Sequence, residues 1–162
     1  MSKRSIMMKK LLLVMLFIWI WVYPLKTTEV KAASPSQQLI VNTNTHKMAF
    51  YQNGVLIRNF TVATGKSTTP TPTGSFIIVN KIKNRPYYTG HIKGGDPRNP
   101  LGDRWLGLNM AGTWGTTYAI HGTNNNQAIG KSTTLGCIRM YNNDIHWLFE
   151  QIHEKATVIV KN

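Results

Sequence analysis

A single cysteine, Cys137, and five histidines are the side chains of this 162-residue chain best suited to act as nucleophile, base or metal ligand. Cys137 follows Leu135-Gly136, and His121 stands sixteen positions earlier, at the end of Tyr118-Ala119-Ile120 and before Gly122. A thiol attacks as the thiolate, so it needs a base or a positive field beside it. A loop carrying Asn124 to Asn126 and Gly130 separates the two residues and is long enough to fold Cys137 back onto the histidine. Gly136 allows a sharp turn, after which the Gly136 and Cys137 amides can converge on an oxyanion. Arg139, two residues on, has the fork geometry to hold a carboxylate. Each residue also has a plainer reading: a buried inert cysteine, a hydrogen-bonded core histidine, an Arg139–Asp144 surface ion pair. Together they favour nucleophilic catalysis. Zinc is disfavoured, because there is no H-E-x-x-H and His146 and His153 sit seven apart without a carboxylate at useful spacing.

Short strands must position these groups. Leu39–Asn42, Lys47–Tyr51 and Val55–Ala63 are rich in β-branched and aromatic residues, and Gln52-Asn53-Gly54 between the last two reads as a hairpin turn. Ser75–Ile82, Leu106–Met110, Thr117–His121 and Ala156–Val160 read as further strands. Gly65 to Gly74 contains two prolines and is excluded from helix or central strand. Residues 84–104 are dense in Gly, Pro, Asn and charge, which predicts a long surface loop, with Tyr88 and, just beyond it, Trp105 as substrate contacts. One helix is predicted late in the chain. Asn142-Asn143-Asp144 offers cap chemistry, and Ile145, Leu148, Phe149 and Ile152 recur at helical spacing. The fold class is mainly β, a sandwich or open barrel with one C-terminal helix.

The N-terminus sets the compartment. Lys3, Arg4, Lys9 and Lys10 precede thirteen apolar or aromatic residues, Leu11 to Tyr23, and Val30-Lys31-Ala32-Ala33 supplies small residues for cleavage. That is the layout of a secretory signal peptide, residues 1–32, cleaved after Ala32. The apolar run is short of the roughly 20 residues that span a bilayer, although Trp19, Trp21 and Tyr23 suit an uncleaved anchor at an interface. A short linker, 33–37, then leads to one domain, 38–162. Removing residues 1–32 takes away six basic residues and Glu29, which leaves 13 Lys+Arg against five acids and a formal charge of +8. Outside the cell this excludes nucleic acid and leaves an anionic wall polymer or membrane surface, or a solubilising charge without a partner. In an exported chain an odd cysteine signals intermolecular pairing or a reactive thiol. No cofactor is implied, and a monomer is expected.

The combination of Ile120-His121-Gly122-Thr123 with Thr134-Leu135-Gly136-Cys137-Ile138-Arg139-Met140-x-Asn142-x-Asp144 resembles the L,D-transpeptidase catalytic domain of the YkuD type. Gly65-Lys66, Thr71-Pro72-Thr73-Gly74-Ser75-Phe76 and Asn99-Pro100-Leu101-Gly102 extend the likeness over Gln38 to Lys161. The resemblance implies a secreted, wall-associated enzyme that cross-links peptidoglycan stem peptides and shapes the cell wall. Cys137 would attack the amide before a terminal D-alanine, and His121 would act as base, its ring oriented by the Gly122 carbonyl. The amides of Gly136 and Cys137, joined by Leu135, would hold the oxyanion. Thr134 fills the Ser/Thr place of the motif beside the substrate. Carbapenems would acylate Cys137. This chain departs from many members at Leu135, where they carry a second histidine, and that leaves acceptor choice open. Water as acceptor would make a carboxypeptidase. A sortase using His91 and a non-catalytic wall-binding module are the remaining alternatives.

Overall fold

The computed structural model describes residues 36–162; the expected signal peptide and its cleavage point lie outside the described residues. Among the described residues, ten strands and one α-helix, with two short 3-10 turns, build the fold: β1 Gln37–Asn42, β2 Lys47–Gln52, β3 Val55–Thr61, β4 Thr64–Gly65, β5 Gly74–Lys83, β6 Arg104–Leu108, β7 Tyr118–His121, β8 Ser132–Thr134, β9 Ile138–Arg139, α1 Asn142–Gln151 and β10 Thr157–Lys161. Eight strands form one mixed sheet in the order β3-β2-β1-β10-β5-β6-β7-β9, and β4 pairs with β8 beside it. The ten-residue β5 serves both halves. Residues Gly74–Ile77 pair with β10, and Ile78–Lys83 pair with β6. The two outer ends of the sheet then meet: Ala63, just past β3, exchanges both backbone hydrogen bonds with Arg139 of β9, at 2.8 and 2.9 Å. One bridge thus closes the curled sheet on itself, and it does so at a predicted site residue.

Local chemistry explains most elements. Leu39 and Val41 of β1, Met48 and Phe50 of β2, and Val158 and Val160 of β10 alternate into one core, as a strand with one buried face requires. Asn53 and Gly54 have φ of 52° and 78°, the positive pair that a tight hairpin turn demands. Helix α1 buries Ile145, Leu148 and Phe149 against the sheet. The carbonyls at its C-terminal end, Phe149 O and Ile152 O, accept hydrogen bonds from Lys81 Nζ at 2.5 and 2.6 Å, so a partly buried ammonium from β5 caps the negative end of the helix.

Two expectations are corrected here. Gln37, placed in the linker by sequence, is the first residue of β1 and is buried. Its amide donates to Gln151 O and accepts from His153 N, tying β1 to the end of α1. The expected side-chain cap of α1 is absent: Tyr141 occupies the cap position without a side-chain bond. Asn142 Oδ1 instead accepts from Thr123 N at 2.9 Å, which fastens the helix start to the segment following His121. Asp144 still lies in the first turn, where the helix dipole favours an acid, and pairs with Arg58 at 2.7 Å rather than with Arg139.

Candidate active site

His121 ends β7, next to Trp105 of β6 in the ladder, and its ring stacks on the indole at 5.4 Å with 20° between planes. It is 1% exposed. Its Nδ1 lies 2.7 Å from Gly122 O and 3.2 Å from Leu101 O. A carbonyl only accepts, so Nδ1 carries the proton and Nε2 keeps its lone pair for proton transfer. Leu101 O is held in place by Asn99, which is 1% exposed. Its Oδ1 accepts from Leu101 N, and its Nδ2 donates to Arg85 O, both at 2.9 Å. Gly102 has a φ of 64°, and a Cβ there would meet Gly122 Cα at 2.8 Å. The Asn99-Pro100-Leu101-Gly102 segment is therefore the mould for the histidine. Asn99→Ala strands the part-buried Leu101 N and Arg85 O and is expected to lower stability by about 2 kcal/mol in denaturant unfolding, with acylation of Cys137 slowed in step.

Cys137 immediately precedes β9, which runs parallel to β7 with Ile120 beside Ile138 and His121 beside Arg139. Ile120 and Ile138 both face the core. By alternation His121, Arg139 and the flanking Cys137 fall on the opposite face. The thiol donates to Thr117 O at 3.3 Å. The turn before it is built by Thr134, whose hydroxyl donates to Cys137 O at 2.6 Å and accepts from Gly136 N at 3.1 Å. The expected oxyanion set is corrected accordingly: the Gly136 amide is already engaged. Among the described residues the Leu135 and Cys137 amides make no hydrogen bond, so they remain as donors. Thr134 is corrected too. It is 1% exposed with its hydroxyl spent internally, and its carbonyl receives Lys66 N, so it braces the turn and does not contact substrate.

The remaining predicted residues separate. Trp105 is buried and supports His121, with its Nε1 donating to Gly115 O at 2.9 Å; this replaces substrate contact by positioning. Arg139 stands beside His121 on the β7–β9 ladder, and its buried Nε has no partner among the described residues. Tyr88 is exposed and lines an open cavity of about 310 Å³ with Pro86, Tyr87, His91 and Ile92, apart from the pair. Leu135 is 73% exposed. Sequence reasoning missed Arg85 and Asn142. By spacing Asn142 reads as a cap, and Arg85 lies in an irregular loop without periodicity to mark it.

Burial sets the resting protonation. It pushes His121 down to about 4, helped by the neighbouring Arg139 and, less, Arg85, and opposed by the Gly122 and Leu101 carbonyls. Burial pushes the Cys137 thiol up, offset in part by the Ala119 backbone, Arg139 and Arg85. The resting pair is thus neutral thiol beside neutral imidazole, and the proton moves during attack. A stability effect follows. Unfolded His121 takes up its proton near 6.5 and folded His121 near 4, so the unfolded state binds more protons between those values. Stability is expected to fall by about 3 kcal/mol as pH drops through that window, and His121→Asn should remove this part of the slope in paired denaturant titrations.

The comparisons with known proteins agree with this fold. The family model for the L,D-transpeptidase catalytic domain, YkuD, matches residues 36–160. YqjB of Bacillus subtilis, which carries the L,D-transpeptidase name, is 40% identical over 122 residues, 75% of this chain and 69% of that protein. The other curated relatives are matched over 55% of their length or less. An L,D-transpeptidase from Mycobacterium tuberculosis superposes with a TM-score of 0.64 at 18% identity, covering 80% of this chain and 59% of that one. An L,D-transpeptidase solved in complex with imipenem gives 0.62 at 19% identity, over 79% and 60%. The two structures speak for the fold alone, while the family model takes in both His121 and Cys137. The chain is an enzyme domain belonging to the L,D-transpeptidase catalytic domain family.

Proposed function

We propose that the protein is an exported transpeptidase of peptidoglycan stem peptides in which Cys137 carries the acyl group. The observation that supports this reading is the β7–β9 ladder, in which a neutral histidine, its Nδ1 tied down and its Nε2 spare, stands beside Arg139, two residues past the chain's single cysteine. Sγ attacks the carbonyl carbon of the amide before a terminal D-alanine while its proton passes to His121 Nε2. The negative oxygen that forms is met by the Cys137 and Leu135 amides. Collapse breaks the C–N bond, and the imidazolium gives its proton to the leaving D-alanine nitrogen, which leaves a thioester. A side-chain amine of a second stem then attacks the thioester carbon, loses a proton to His121, and expels the sulfur, which recovers that proton. Arg139 lies beside His121 on the β7–β9 ladder, and its buried Nε is unpartnered among the described residues, which supports assigning its guanidinium to a substrate carboxylate.

The basic surface of the exported chain favours retention at an anionic wall polymer. The imipenem complex of a solved relative supports the expectation that a carbapenem acylates Cys137. The test is a product assay with tetrapeptide stems and an amine acceptor. Stoichiometric D-alanine together with a cross-linked dimer is expected. D-Alanine with tripeptide alone would make water the acceptor, and no D-alanine at all would remove the transpeptidase reading.

A further inference from the structure

The loop between β5 and β6 places one guanidinium in contact with the supports of both reacting residues. The Arg85 guanidinium carbon lies 4.1 Å over the Trp105 ring. That indole in turn stacks on His121. Arg85 Nη2 donates to Thr116 O at 2.9 Å, one residue before the Thr117 carbonyl that receives the Cys137 thiol. The main chain of the same residue closes a circuit: Arg85 O holds Asn99, Asn99 holds Leu101, and Leu101 O receives His121 Nδ1. Among the described residues Arg85 has no carboxylate partner. The nearby acids are spoken for: Asp96 pairs with Arg98, Asp103 with Arg104 and His146, and Asp144 with Arg58. An unneutralised guanidinium centred over an indole is a cation–π arrangement, and a lysine ammonium lacks the planar group that can stack there.

We infer that Arg85 is a positioning residue for the Cys137–His121 pair, clamping the imidazole through Trp105 and the thiol's carbonyl partner through Thr116. It rests on the reading of that pair as the reacting groups. A simple loop fastener would hold the segment without altering the reacting groups, so the field matters as well as the contact. The charged groups acting on both His121 and Cys137 are Arg139 from β9 and Arg85 from the loop; both are cations, and both favour neutral imidazole and thiolate. Removing the Arg85 charge therefore raises the titration of both groups.

The test uses the full chain with Arg85→Met and Arg85→Lys. It reads iodoacetamide alkylation of Cys137 against pH, kcat and KM for D-alanine release, and Tm. For Arg85→Met, kcat is expected to fall about tenfold with KM within about twofold, and the alkylation midpoint to move to higher pH. Arg85→Lys should return the midpoint close to that of the parent while restoring only part of kcat. An unchanged midpoint in Arg85→Met, with any activity loss following Tm, would overturn the inference and leave a structural fastener. A raised KM at constant kcat would also overturn it, in favour of substrate binding. Alkylation needs no stem peptide. If the parent releases no D-alanine, the transpeptidase reading fails while the shift in alkylation still decides the role of Arg85.

Discussion

Replacing His121 with alanine is expected to slow acylation of Cys137 by about a thousandfold at neutral pH, the usual worth of a well-placed general base. The size follows from the resting protonation. The thiol is pushed up by burial, so few molecules carry a thiolate unaided, and the imidazole at about 4 is free to accept a proton at any pH well above that value. A preformed thiolate–imidazolium pair would behave differently, since its thiolate would persist at low pH. The deficit of the alanine variant should therefore shrink as the solution becomes alkaline enough to ionise the thiol directly. Stopped-flow acylation by a carbapenem at neutral and strongly alkaline pH measures both limbs. A deficit that is small, or that does not change with pH, would contradict the role given to His121. His121→Asn, which leaves a smaller gap beside Trp105, checks that the loss is chemical and not a consequence of cavity formation.

The second large effect is at Gly136. Its φ is 116°, a region that side chains avoid, and a Cβ there would meet Tyr118 Cε1 at 2.7 Å. Gly136→Ala combines backbone strain with overpacking, each of order 1–3 kcal/mol, at the residue that aims both the Cys137 thiol and its amide. Acylation is expected to fall at least about a hundredfold, because a displaced oxyanion donor alone costs that much. Gly54 provides the contrast. It also has a positive φ, 78°, but nothing lies within 4 Å of a Cβ at the hairpin tip. Gly54→Ala should show strain in denaturant unfolding and leave acylation unchanged. Equal acylation losses in the two variants would show that Gly136 matters only for stability.

What the sequence revealed was chiefly local. Asn53-Gly54 names its own turn because two positive φ angles are required there, and Ile145, Leu148 and Phe149 mark α1 by spacing alone. The His-Gly and Gly-Cys motifs were visible because a lone thiol and a histidine at a strand end are few enough to pair. Hidden were β4, β8 and β9, of two or three residues each, which are too short to show a period. Their existence depends on partners far away in the chain, as in the Ala63–Arg139 bridge. The roles of Thr134 and Trp105 were misread for a related reason. A hydroxyl beside a motif and an aromatic after a loop look available to substrate until burial shows their polar atoms already engaged. Asn142 reads as a helix cap from spacing, yet a more distant amide, Thr123 N, claims its side chain.

The claim on which the rest depends is that Cys137 becomes covalently acylated with His121 as its base. Intact-mass spectrometry of the protein quenched during turnover of a tetrapeptide stem addresses it directly. The expected result is an adduct equal to the stem less D-alanine, located on Cys137 by peptide mapping, absent from Cys137→Ala and strongly reduced in His121→Ala. D-Alanine release that persists in Cys137→Ala, or an adduct on any other residue, would contradict the account.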